Sequence, residues 1–272
     1  MNPKVWGYSG WKFLFSVSCD YPEKPNFQVT NNYKHFFESL QYVLPCVTCR
    51  VNYSNHLVQM PIEPYLTHRD NLFIWILKVH NRVNMQQGKP ILTRGDIINK
   101  YFGGRECLSD CRRDPRIWGL DGWKFLFSIA YEYPRNPVYQ DVYNYKQFFT
   151  YLQYVLPCET YRQRYSTQLN IVPMDSFLTT RIYLFRWVLQ MHNLINKDIG
   201  RPLLSHEEVL STYFNNQIHI LKHHNRNPYS RPIGGLILTE GFDSHINDQN
   251  MTMAMAVLIV VIGVATLYKV SQ

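Results

Sequence analysis

A repeat constrains this chain more than any other feature. "WGYSGWKFLFS" at 6–16 returns as "WGLDGWKFLFS" at 118–128, and "NYKHFFESLQYVLPC" at 32–46 returns as "NYKQFFTYLQYVLPC" at 144–158. "HNRVN" at 80–84 answers "HNLIN" at 192–196, and Tyr101-Phe102 answers Tyr213-Phe214. The step from 6 to 118, an offset of 112, holds at every pair, so nothing has been inserted or lost between the motifs. Whatever fold the first hundred residues adopt, the chain builds it twice, and a unit of about 100 residues is an ordinary domain size.

The unit reads as helical. Trp6, Gly10, Phe13, Leu14 and Val17 recur at helical spacing. "YPEKPNF" at 21–27 interrupts the pattern with two prolines, and Asn31 or Asn32 is placed to cap a second helix carrying Phe36, Phe37, Leu40 and Val43. Pro45 stops that helix and opens a third, from Cys46 to about Gln59. After a break at 60–64, a fourth runs from about Thr67 to Met85 and a short fifth from Arg94 to Phe102. No stretch sustains strand alternation. The expected fold class is all-α: two tandem four-helix bundles, each with a short fifth helix. The expected boundaries are 1–102 for the first unit, 103–116 for a linker, 117–214 for the second unit and 215–250 for a polar tail.

Residues 251–268, "MTMAMAVLIVVIGVATLY", carry no charge and reach the ~18 residues that span a bilayer. With no secretory signal pattern at the start, they predict a single-pass tail anchor that leaves the rest of the chain on the cytosolic side. The formal net charge of +8 would suit an anionic partner. Outside Arg112-Arg113 and the run from Lys222 to Arg231, however, the basic residues are scattered, as on a solvated surface, and nucleic acid is not expected.

Six cysteines remain to be placed: Cys19, Cys46, Cys49, Cys107, Cys111 and Cys158. In "LPCVTCR" a CxxC begins a helix, where free N–H groups and the helix dipole favour a thiolate. Residues three apart share a helix face, so Cys46 and Cys49 can close a disulfide. Half of a zinc site is the other reading of a CxxC, with Cys107 and Cys111 as the other pair, though those two sit in the Gly-led linker, where a mobile disulfide suits as well. Cys19, in the first helix, is expected to be a buried free thiol.

The combination is more specific than any part of it. "WGYSGWKFL", then "YP", "LPCVTC", a tryptophan helix ending in "HNRVN", and "GKP" follow in order. This resembles the Erv/ALR family of FAD-linked sulfhydryl oxidases, in the compact form found in large cytoplasmic DNA viruses. The resemblance implies a helical bundle holding FAD, with Cys49 beside the flavin and Cys46 exchanging with thiols of client proteins. Electrons then pass to molecular oxygen, giving hydrogen peroxide. It also implies cofactor contacts from Gly7, Trp11, Trp75, His80, Asn81, Asn84, Lys89 and Tyr101, and no metal. The chain departs from the family pattern at Leu14-Phe15, where a histidine is usual, and in lacking the cysteine pair that staples the C-terminal segment.

The second copy reads "LPCETYR", with Tyr161 where the first has Cys49, so Cys158 has no partner within its motif. The second unit keeps Trp118, Trp123, His192, Asn193 and Asn196, and carries Arg201 in place of Lys89. It is expected to fold, to be inactive, and to serve as the partner bundle in an intrachain pseudo-dimer; a homodimer through the first unit is the competing arrangement. Cys107 and Cys111 are a candidate shuttle disulfide. The membrane is expected to be that of a host cell or virion. A non-enzymatic membrane or virion protein that retains the oxidase fold is the alternative to the thiol oxidase.

Overall fold

The computed structural model describes residues 1–105 and 115–215, which fall within one compact unit. All regular structure among these residues is helical. The first copy comprises α1 (Pro3–Cys19), α2 (Phe27–Val43), α3 (Val47–Gln59), α4 (Arg69–Gln86) and α5 (Arg94–Phe102). The second comprises α6 (Pro115–Tyr131), α7 (Tyr139–Val155), α8 (Glu159–Ile171), α9 (Arg181–Asp198) and α10 (His206–Phe214). Helix α6 therefore begins inside the stretch read as linker.

The helix ends follow from local chemistry. Asn2 accepts from the Lys4 amide at 3.0 Å, and Pro3 occupies the first helical turn of α1, where no donor is needed. The cap of α2 is Asn26, whose side chain accepts from the Val29 amide at 2.9 Å; the expected caps Asn31 and Asn32 lie inside the helix. The second proline of the break left room for the helix to start earlier. Leu44, just before Pro45, is driven out of the helical region to ψ 137° and ends α2. The break at 60–64 runs into a single 3-10 turn, Glu63–Tyr65. Thr93 and Asp96 form a reciprocal capping box on α5, and Gly103 closes that helix in the left-handed conformation at φ 60°.

Identical words fold identically. Trp75 donates its indole N–H to the Met60 carbonyl at 3.0 Å, and Trp187 does the same to Val172. Tyr21 donates to Leu66 and Tyr133 to Leu178, both at 2.8 Å.

The copies pack on each other through α1 against α6 and α2 against α7. Their contacts obey a local twofold. Trp6 stacks on Phe125 at 5.8 Å, and the reciprocal pair Phe13–Trp118 lies at 6.1 Å. Phe13 meets its own counterpart Phe125 at 6.0 Å, and Phe36 meets Phe148 at 5.5 Å. Close approach of α1 and α6 depends on two glycines. A Cβ on Gly10 would lie 3.1 Å from Phe125, and one on Gly122 would lie 3.0 Å from Phe13. The polar contacts across this interface are not symmetric. Asp121, which stands where the first copy has Ser9, accepts from the Ser9 hydroxyl at 2.7 Å and pairs with Lys12 at 2.8 Å. Asp20 pairs with Arg162 of the second copy.

Among the described residues no helix is long and apolar enough to cross a membrane. The expected anchor at 251–268, and Cys107 and Cys111, lie outside the described residues.

Candidate functional site

Pro45 stops α2 and places Cys46 as the N-cap of α3, in extended conformation at φ −165°, ψ 124°. The cysteine sulfur takes the role usually played by a capping hydroxyl: Cys46 Sγ accepts from the Cys49 amide at 3.2 Å. Cys46 and Cys49 form a disulfide, with their Cα atoms 5.0 Å apart. Both are half-buried and rest on the hydrophobic core. The Arg50 guanidinium ties the turn down by donating to the Leu44 carbonyl at 2.9 Å. Exposed Val47 and Val51 flank the pair.

A second group of the expected residues gathers where α1, α4 and α5 meet. Trp11 stands edge-on to His80 at 4.8 Å, and His80 Nε2 shares a 3.1 Å hydrogen bond with the Tyr101 hydroxyl. Phe15, and Tyr8, which was not singled out from the sequence, complete the cluster against Tyr101 at 5.6 Å and 5.1 Å. Phe15 sits where a family histidine was missed, and its ring takes up the space. His80 Nδ1 is buried with no hydrogen-bond partner in the chain, and so is Trp6 Nε1.

Burial pushes the His80 imidazole down to about 4, and the nearby Lys100 ammonium acts the same way. Burial also lowers His192, His56 and His206. Each is neutral in the folded protein at pH 7, whereas the unfolded chain takes up these protons near pH 6.5. The stability they contribute is therefore complete above about pH 6.5 and is lost as pH falls through the window down toward about 4 for His80. The melting temperature should drop between pH 7 and pH 5, and His80→Phe should reduce that dependence. A melting temperature flat across this range would contradict the buried neutral imidazoles.

The two asparagines of "HNRVN" are occupied by the loop that follows them. Asn81 donates to the Leu92 carbonyl at 2.8 Å and accepts from the Leu92 amide at 3.0 Å. Asn84 donates to the Pro90 carbonyl at 2.8 Å. Together they clamp the α4–α5 connection and so set the position of Lys89, whose exposed ammonium donates to Gln87 at 2.7 Å. Gly7 borders open space: an added Cβ would meet nothing within 4 Å. Trp75 stands apart from this cluster, 1 % exposed, with its ring against Phe37 and its N–H on Met60. Cys19 is not the free thiol expected of it; it is held in a disulfide.

The second copy repeats the cluster, with Trp123 at 4.9 Å from His192 and His192 bonded to the Tyr213 hydroxyl at 2.9 Å. Its redox position is different. Cys158 is free, and the ring of Tyr161 stands edge-on to Trp118 at 5.5 Å. Tyr161 lines a small chamber with Trp118, Gly122, Trp123 and Leu126. At the offset of 112 the same wall in the first copy is Cys49 with Trp6, Gly10, Trp11 and Leu14. Cys49 and Trp11 are thus the counterparts of two residues, Tyr161 and Trp123, that line this chamber in the second copy.

The sequence model of the Erv1/Alr family matches residues 8–103 and again 121–215. The chain belongs to the Erv1/Alr family. Among its relatives, "Probable FAD-linked sulfhydryl oxidase R368" of Acanthamoeba polyphaga mimivirus is 41% identical over 99 residues, covering 36% of this chain and 69% of the relative. "Mitochondrial FAD-linked sulfhydryl oxidase ERV1" of Saccharomyces cerevisiae is 30% identical over 84 residues, covering 31% of this chain and 43% of the relative. "FAD-linked sulfhydryl oxidase ERV1" of Arabidopsis thaliana is 28% identical over 101 residues, covering 37% and 51%. Each of these alignments is about one copy long, whereas this Erv1/Alr chain carries two.

Proposed function

We propose that the chain is an FAD-dependent thiol oxidase that makes disulfides in client proteins at Cys46–Cys49. The observation that carries this reading is the closed CxxC disulfide at the start of α3, with Cys46 as the cap of that helix. The named activity of its relatives agrees with it. The residues present suit a flavin: Trp11, His80 and Tyr101 supply an aromatic wall, and His80 Nδ1 and Trp6 Nε1 are buried polar atoms without a protein partner. Gly7 leaves the wall open, and Lys89 brings a positive charge to the rim, suited to phosphate.

In this mechanism a client thiolate attacks Cys46 Sγ. The Cys46–Cys49 bond breaks and Cys49 leaves as a thiolate on the chamber side. A second client thiolate attacks the mixed disulfide and releases Cys46, whose thiolate is held by the Cys49 amide. The client gains a disulfide, its two protons pass to the released cysteines, and the electron pair rests on the Cys46–Cys49 dithiol. Bound FAD supplies the chemistry that takes this pair from the dithiol and delivers it to molecular oxygen. Purified full-length protein in detergent should be yellow and should consume oxygen when given a dithiol. Colourless protein that consumes none, even with FAD added, would support the non-enzymatic alternative.

Two further elements belong to this reading. The first unit ends at 102, the second runs from the start of α6 to 214 and is followed by a tail at 215–250, and the second unit acts as the partner bundle. Residues 251–268 anchor the chain in a host-cell or virion membrane with both units on the cytosolic side. Their uncharged composition supports this, and deleting them should move the protein from the membrane pellet to the supernatant; retention in the pellet would count against the anchor.

A further inference from the structure

We propose that in the second copy the ring of Tyr161 occupies the place of the flavin ring, so that each chain binds one FAD, in the first copy alone. The inference rests on the oxidase reading and says how that reading is divided between the two copies.

Of the eight positions lining the second-copy chamber, only two differ from their first-copy counterparts: Tyr161 stands for Cys49 and Ile195 for Val83. Both changes put more atoms into the same enclosure. The backbone that carries them is unchanged. Leu156 before Pro157 adopts ψ 135° against 137° at Leu44, and Cys158 caps α8 in the extended conformation that Cys46 adopts in α3. Tyr161 is therefore delivered to the point where Cys49 sits, and its ring continues inward to meet the Trp118 indole edge-on.

What remains beside it is about 10 Å³ of free space, room for at most one water. A three-ring flavin cannot share that volume. Interiors are close-packed, so a chamber walled by tryptophan, leucine and tyrosine has to be filled by something of matching shape. In the second copy that filler is covalent and permanent. The rest of the site is retained: Trp123, His192 and Tyr213 reproduce the first-copy cluster, and Asn193 and Asn196 hold their loop at Leu204 and Pro202. The block is thus a single side chain on an otherwise preserved scaffold.

The test is flavin stoichiometry, which is independent of turnover. Full-length protein in detergent is saturated with FAD and freed of excess; the flavin is then released and quantified by absorbance against protein. The wild type should hold one FAD per chain. Tyr161→Ala and Tyr161→Cys should double this to two, with helix content unchanged by circular dichroism. Cys49→Tyr, which installs the same plug in the first copy, should lower it to zero while Cys49→Ser keeps one. Should the Tyr161 variants fail to fold, the Cys49→Tyr and Cys49→Ser pair decides. Two FAD in the wild type, one in both folded Tyr161 variants, or one retained by Cys49→Tyr would each overturn the plug and leave the oxidase reading standing. No FAD in the wild type would overturn both.

Discussion

Cys49→Ser should abolish dithiol-dependent oxygen consumption, lowering it by more than about a thousand-fold, the scale of losing a residue that acts as part of a reactive unit. Cys46→Ser should do the same. The expected loss is this large because the chain has no second route among its described residues. The disulfide at the head of α3 is the only CxxC, and the corresponding position in α8 holds the free Cys158 with Tyr161 three residues on. Both variants should keep their flavin absorbance, since a serine has nearly the shape of a cysteine and leaves the chamber wall in place. Full turnover in Cys49→Ser would show that the redox centre is elsewhere.

The second large effect concerns the packing of one copy on the other. Gly10→Leu together with Gly122→Leu should destabilise the protein by roughly 1–3 kcal/mol per site, as overpacking does. At about 2–4 °C per kcal/mol for a protein of this size, the melting temperature should fall by on the order of 10 °C. The reason is space. The first atom of either new side chain lands 3.0 or 3.1 Å from Phe13 or Phe125, both fully buried, before the rest of the leucine is placed. Gly119→Ala, one turn earlier in α6 and away from α1, is the control. Its Cβ meets Pro115 at 3.9 Å, an ordinary contact, and alanine improves helix propensity by about 1 kcal/mol. An unchanged melt in the double leucine variant would contradict the α1–α6 interface.

The same interface bears on oligomeric state. In a pair of first copies, the competing arrangement, Lys12 would face Ser9 and find no carboxylate. The mixed pair joins Asp121 to both Ser9 and Lys12. Covalent linkage adds a high effective concentration of the right partner. Residues 1–215, which contain both copies, should therefore scatter light as a monomer. A stable dimer crosslinked through two first copies would reverse this assignment.

The sequence by itself determined the helical class, the two copies, and the address of the redox pair. Those features depend on local chemistry: apolar spacing, a proline that ends one helix and opens the next, and a constant offset that leaves no room for a different register. Even so, Asn26 took the α2 cap from Asn31 and Asn32, because short polar side chains are plentiful there and only the start of the helix chooses among them. What spacing along the chain could not assign, the tertiary structure decided. Trp11 and Trp75 look alike in sequence. One meets His80 edge-on and the other is sealed in the core with its N–H on the Met60 carbonyl, because their helices present them to different neighbours. The amides of Asn81 and Asn84 hold the loop after α4, a pairing that exists only once the chain turns back on itself. Cys19 was expected to be free and is bonded, since disulfide partners are set by distance in space. The meaning of Tyr161 was likewise out of reach of the sequence. As a letter it removes a cysteine; in the folded chain its ring takes up the chamber, because a side chain's volume counts only where other side chains close around it.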